Sequence, residues 1–227
     1  DHEHEHGHDH EHSHEHAHPH DGACHHGHLD LSKLAPPKKR TKIQPFPPKL
    51  QLFQLDTSLI KVEDNVFTKL KGDNDVVVAF DPPIQQGIHR FSIAFANSYS
   101  CFHSIGIVDA AVNITKGYAL GEDEKSAEYN NKNVFGQVYH KNKGVEGNEE
   151  YQDEQLITAE VNMDAKPRTL HFFVEGKEQP VYVSSLPASI RFAIHIYAEG
   201  ASFTVVTLGK APSASVKGVV GKKEVQW

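Results

Sequence analysis

Cysteine is scarce in this sequence: Cys24 and Cys101 are the two in 227 residues. That count excludes a disulfide-rich scaffold and a four-cysteine zinc site, and it leads us to expect two free thiols in a reducing compartment. No run approaches the roughly 18 apolar residues needed to span a bilayer, and no charged-then-apolar leader reads as a signal peptide. The one tryptophan, Trp227, is not set among aromatics and carboxylates of the kind that would be expected to line a sugar-binding groove. The phosphate-binding G-x-x-x-x-G-K-[ST] loop, the G-x-S-x-G elbow and the dinucleotide fingerprint do not occur, which removes the common nucleotide and acyl-transfer chemistries. Asn113-Ile114-Thr115 fits a glycosylation sequon, but one short match weighs less than the cysteine count. The expectation is an intracellular protein, cytoplasmic or nuclear.

Basic residues are missing from one stretch and histidine is concentrated there. Residues 1–28 contain 13 of the 18 histidines, 7 of the 30 acidic residues and no Lys or Arg. The remaining 199 residues therefore hold 23 acidic and 23 basic side chains, and the formal charge of −7 belongs to this N-terminal segment. A neutral body is not a general nucleic-acid binder, which needs a basic surface to displace counterions. With almost nothing apolar to bury, residues 1–28 are expected to have no stable fold of their own.

Within that segment His2, His4, His6, His8, His10, His12, His14, His16, His18 and His20 occupy every even position, and His25, His26 and His28 follow Cys24. Neutral imidazole is the commonest side-chain ligand for zinc, nickel and copper, and carboxylates can complete a coordination shell. A flexible chain alternating the two offers many overlapping ligand sets, with Cys24 and its neighbours as one softer site. Near pH 6.5 the imidazoles take up protons, so the segment swings from −7 toward +6 on mild acidification and gives up its metal over the same range. The windows starting at His2, His4, His10 and His14 formally match H-E-x-x-H. That motif needs a helix within a cleft, which a period-two polar run does not supply.

Residues 29–49 form a Pro-rich linker with five prolines and a basic run, Pro37-Lys38-Lys39-Arg40-Thr41-Lys42. The prolines favour an extended spacer, and the basic run resembles a nuclear-import signal or acts as a solubilising stretch. Residues 211–227 read as a short, loosely attached C-terminal tail.

Residues 50–210 have a different texture. Phe91, Ile93 and Phe95 alternate with Ser92, Ala94 and Ala96, and Ile157, Ala159, Val161 and Met163 follow the same rule. Leu170-Phe172-Val174, Phe192-Ile194-Ile196 and Phe203-Val205 continue it. Alternation over short runs indicates half-buried antiparallel strands. Turn signals separate them at Lys71-Gly72-Asp73-Asn74, Asp81-Pro82-Pro83, Gly144 with Gly147-Asn148, Glu175-Gly176 and Glu199-Gly200. There is no convincing helical stripe. The fold class is all-β, an antiparallel sandwich, and about 160 residues bury roughly 70% of their unfolded surface without needing metal or disulfide. Phe172, Phe173 and Phe192 are expected to fill the space between the sheets.

The order of motifs in this body resembles a SPRY domain, the core of the B30.2-like family. Gly87-Ile88-His89-Arg90-Phe91-Ser92-Ile93 is similar to the family's Gly-x-His strand start, with Phe91 where Trp is usual. Ile105-Gly106-Ile107, then Gly117-Tyr118-Ala119-Leu120-Gly121 with Ser126 and Tyr129, follow in family order. Val161-Asn162-Met163-Asp164, Thr169-Leu170-His171-Phe172-Phe173-Val174-Glu175-Gly176, and Leu186-Pro187 before Ile190–Tyr197 complete the series. The resemblance covers Gly87 to Leu208. It implies a SPRY-like sandwich that binds a protein or short peptide through edge loops, at positions matching Tyr118, Leu120, Glu199 and Gly200.

Acidic groups at Glu122-Asp123-Glu124, Glu149-Glu150 and Asp153-Glu154 read as solvated loops. His89, His103, His140, His171 and His195 read as strand residues rather than ligands. The expected protein is a non-enzymatic adaptor with protein or peptide and divalent metal ions as partners, and with neither nucleic acid nor membrane. Zinc, nickel or copper would sit on the histidine segment, and folding would require no cofactor. The alternatives are a metal buffer or carrier with the sandwich as platform, and a lectin-like sugar binder.

Overall fold

The computed structural model describes residues 50–72, 75–98, 101–131 and 136–227. The histidine segment 1–28, with its metal-ligand candidates, and the linker 29–49 lie outside the described residues. In chain order the first strands are β1 (Gln51–Phe53), β2 (Ile60–Glu63), β3 (Val66–Lys69), β4 (Val76–Asp81), β5 (Ile88–Ala96), β6 (His103–Asp109), β7 (Ser126–Asn130) and β8 (Val138–His140). They are followed by β9 (Lys143–Val145), β10 (Ile157–Asn162), β11 (Thr169–Val174), β12 (Lys177–Glu178), β13 (Val181–Ser184), β14 (Ile190–Ile196), β15 (Ser202–Ala211) and β16 (Lys223–Gln226). No helix long and apolar enough to cross a membrane occurs among the described residues.

Two sheets result. One runs β1-β4-β14-β6-β7-β8-β9; the other runs β16-β13-β11-β10-β5-β15-β3-β2, with β12 paired to β11. The pairings are antiparallel except β13 with β16, which is parallel. The fold is thus the all-β sandwich that the alternation indicates. Its alternating apolar residues meet between the sheets: Phe91, Ile93 and Phe95 of β5, Ile157, Ala159 and Val161 of β10, and Phe192, Ile194 and Ile196 of β14 share one core. Rings carry much of it. Phe67 stacks on Phe203 at 4.7 Å between centroids, and Phe91 meets Phe192 at 5.3 Å across the two layers. Such pairs add directional packing to the area that each ring buries.

Phe173 departs from expectation. It is buried but lies outside both hydrophobic clusters, because its neighbour Phe172 faces the inter-sheet core and adjacent strand residues point to opposite faces. The expected turn at Gly144 is also displaced. Gly144 lies inside β9, opposite Tyr139, and the hairpin turn is Lys141-Asn142, with φ of 53° and 58°. Both residues take the left-handed conformation that a two-residue turn between antiparallel strands requires. Glu175-Gly176 makes the equivalent turn between β11 and β12, as its sequence indicates.

The C-terminal segment is not loose. Ser215 N donates to Glu160, and Lys217 N and Gly218 N donate to Glu178 Oε2 at 2.8 and 2.9 Å. These backbone donors bond the buried carboxylates of Glu160 and Glu178, whose burial would otherwise be more costly. Beyond this strap, β16 pairs with β13 and Val225 joins the core. The segment has no long alternating run, so only tertiary contact reveals its place.

Two free thiols were expected, and at Cys101 that is corrected: this residue is disulfide-bonded and almost fully buried. The other cysteine of the sequence, Cys24, lies outside the described residues.

Candidate functional site

Strand register decides which loops share an end of the sandwich. In the β14–β6 pair, Ile190 lies opposite Asp109 and Ile196 opposite His103. The 110–125 loop therefore leaves β6 at one end, and the turn with Glu199 and Gly200 leaves β14 at the other. Seven residues of strand separate them by about 20 Å. The four positions implied by the resemblance consequently do not form one surface.

Each of the four has a clear local role. Leu120 is 1% exposed and belongs to a second hydrophobic cluster with Val77, Ala79, Val108, Val112 and Ala193. It cannot touch a docked peptide without the loop being displaced. Tyr118 is half-buried against this cluster, and its hydroxyl donates to Asp123 at 3.2 Å. Burial is the main cause that raises its phenol above the ordinary range. Glu199 is exposed, while Gly200, with φ of 77°, donates its N–H to Lys69 O at 3.0 Å.

The 110–121 segment thus folds as a cover over the outer face of the first sheet. Asp123 anchors its return: its carboxylate accepts from the Lys125 N–H at 2.9 Å and from Ser126 Oγ at 3.1 Å. Gly121 closes the turn, with φ of 77° and space for a Cβ blocked by Tyr139 at 2.8 Å. Closer to the strands, Arg191 clamps three elements. Its Nε donates to Asp81 Oδ1 at 2.7 Å, its NH1 donates to Ala110 O at 2.6 Å, and its guanidinium lies 3.7 Å from the Phe53 ring centroid. A charged residue inside the apolar run Ile190–Ile196 is the one signal in the sequence that such a clamp exists, because a buried arginine needs partners.

At this same end a cavity of about 350 Å³ opens between the sheets, lined by Leu50, Phe80, Pro83, His89, Leu208 and Lys210 among others. The prolines of the β4–β5 connection form part of its wall. Burial is the main cause that lowers the His89 imidazole below its usual value, so it is neutral at pH 7. His89 Nε2 lies 3.1 Å from Gln86 O. Sequence reasoning did not find this cavity, since its walls come from five separate segments.

The strand histidines do not gather. His103 falls to about 4 and His171 to about 4, each chiefly because burial penalises the charged ring. His140 stacks on Trp227 at 4.9 Å, which places that tryptophan in packing rather than in a groove. Among the described residues no group of three or more His, Cys, Asp or Glu is placed to hold a metal ion.

No family model matches the chain, and no curated protein matches it by sequence. Solved structures do. A human SPRY domain superposes with a TM-score of 0.53 at 14% identity, over 65% of this chain and 94% of its own. The TRIM65 PSpry domain gives 0.56 at 11%, over 70% and 89%. The SPRY domain of human HERC1 gives 0.50 at 14%, over 66% and 96%. The motif pairs that suggested the resemblance are tied together in space, with Gly87 N donating to Asp164 Oδ1 at 2.8 Å. The described body of this chain has a fold similar to that of SPRY domains.

Proposed function

We propose that this chain is a non-enzymatic docking module that holds a protein or short peptide at the end of the sandwich bearing the cavity and the 110–121 cover. The observation that carries this reading is the juxtaposition, at one end, of an open apolar cavity and a rim locked by Arg191. A rigid scaffold carrying loops at its edge is the usual arrangement of a recognition surface. The SPRY neighbours support an interaction module of this general kind. The surface consists of Pro82, Pro83, His89, Lys210 and the exposed edge of Tyr118; Leu120, Glu199 and Gly200 are not part of it.

The test is selection of binding peptides from a displayed library on the full chain, followed by affinity measurement. Pro83→Glu and Lys210→Glu are expected to weaken a selected peptide at least about tenfold, the loss typical of a central contact. Glu199→Ala, at the opposite end, leaves binding unchanged. The reverse pattern would sink the assignment.

The second element of the proposal is that residues 1–28 collect divalent metal, supported by the alternation of imidazole and carboxylate. Calorimetric titration with zinc at pH 7.5 is expected to show several ions per chain, and none at pH 5, where the imidazoles are protonated. Uptake that is equal at both pH values would refute ligation by histidine.

A further inference from the structure

We propose that Asn113 is a site of N-linked glycosylation and that this chain matures in an oxidising, extracytoplasmic compartment. Two independent observations converge. First, the sequon Asn113-Ile114-Thr115 occupies the crest of the 110–121 cover, and both Asn113 and Thr115 are exposed. Val112 before it and Leu120 after it are buried in the second cluster, so the cover is pinned at both flanks and its crest faces outward. Asn113 Oδ1 accepts from Gln54 Nε2 at 2.8 Å, and Ile114 N donates to Gln54 Oε1 at 2.8 Å. The nitrogen that would carry the sugar, Nδ2, has no hydrogen bond among the described residues. The residue between is isoleucine and not proline, as the acceptor sequence requires.

Second, Cys101 is disulfide-bonded and 4% exposed. Structural disulfides persist in oxidising compartments and are rare where glutathione keeps thiols reduced. Sequons are modified in the same compartments in which such bonds form. One sequon alone is weak; a sequon presented on a folded surface in a chain whose Cys101 is disulfide-bonded is not.

The chemistry is a glycosyl transfer from a lipid pyrophosphate-linked oligosaccharide. Asn113 Nδ2 attacks C1 of the first sugar, the bond from C1 to the pyrophosphate oxygen breaks, the amide nitrogen gives up one proton, and lipid pyrophosphate leaves. No oxidation accompanies the step.

The experiment is expression of the full chain behind a secretion leader in eukaryotic cells, with peptide mapping of the secreted product. Occupied Asn113, removal of the added mass by peptide-N-glycosidase F and its conversion of Asn113 to Asp support the proposal. Thr115→Ala abolishes the added mass without touching Asn113, whereas Thr115→Ser retains it. Alkylation in denaturant without reductant leaves Cys101 unlabelled. Secreted wild-type protein with a bare Asn113 peptide overturns the glycosylation, and a Cys101 labelled before reduction overturns the compartment. Mapping the wild-type chain decides the matter even if a variant fails to fold.

Discussion

His195 Nε2 lies 2.9 Å from Asp75 Oδ1, while its other ring nitrogen faces Glu128 Oε2 at 3.5 Å. The first is a hydrogen-bonded ion pair and the second an electrostatic contact. Burial alone would lower this imidazole, but the two carboxylates outweigh it and raise it to about 9. Glu128, itself fully buried and bonded by Ser104, is pushed upward mainly by loss of hydration.

Stability should therefore depend on pH in a defined direction. The unfolded imidazole titrates near 6.5, so the protonated ring contributes fully below that value, and its contribution is lost as pH rises through about 9. The gap corresponds to something on the order of 3 kcal/mol. Urea unfolding of wild type and His195→Gln at pH 6 and pH 10 checks it: the difference is expected to be largest at pH 6 and to shrink at pH 10. A gap that widened with pH would contradict the pairing.

Gly106→Ala tests strand packing. A Cβ at this position would fall 2.1 Å from Ala127 O and 2.8 Å from Glu128 Cα. Both are backbone atoms of the paired strand β7, so neither can rotate aside. The substitution is expected to cost at least about 3 kcal/mol, the upper range for overpacking, read as a lowered urea midpoint with an unchanged slope. A near-neutral variant would mean that β6 and β7 separate more easily than their pairing implies.

Arg191→Lys separates geometry from charge. Lysine keeps the positive charge but lacks the planar fork that reaches Asp81 and Ala110 at once. Arg191→Leu removes both. Leucine is expected to lose on the order of 3 kcal/mol, as when one partner of a buried ion pair is deleted, and lysine an intermediate amount. Amide hydrogen exchange in 110–121 and β1 should rise in both variants, while β10 and β11 stay protected.

Truncation after Ala211 tests the strap. It would leave Glu160 without Ser215 N and Glu178 without Lys217 N and Gly218 N, and it would remove β16. The shortened chain is expected to melt at a lower temperature and to aggregate on concentration. A truncated chain melting like the full one would return this segment to the status of a tail.

Much of the framework could be read from the sequence because period-two alternation is a local property. Phe91-Ile93-Phe95 and Phe192-Ile194-Ile196 announce their buried faces without reference to any partner. The rest depended on distant contacts. Leu120 and Tyr118 sit in a turn-rich stretch that resembles an exposed loop, yet the stretch is folded back onto Val77 and Ala193. Glu199 and Tyr118 both looked like rim residues, and only the direction of β6 against β14 sends them to opposite ends. The strap at 212–218 holds carboxylates through backbone N–H groups, which leave no side-chain signature. The pairing of Cys101 was missed because a count of two cysteines carries no geometry.

The parallel seating of β16 against β13 has a consequence for how these molecules behave in a crowd. An unclaimed sheet margin is a template on which another chain can grow. On this flank the margin is taken by β16, a short four-residue strand whose Lys223, Glu224 and Gln226 are exposed. A neighbour trying to continue the sheet would meet charges and little length to grip. This short charged strand thereby guards the sheet margin against edge-to-edge growth.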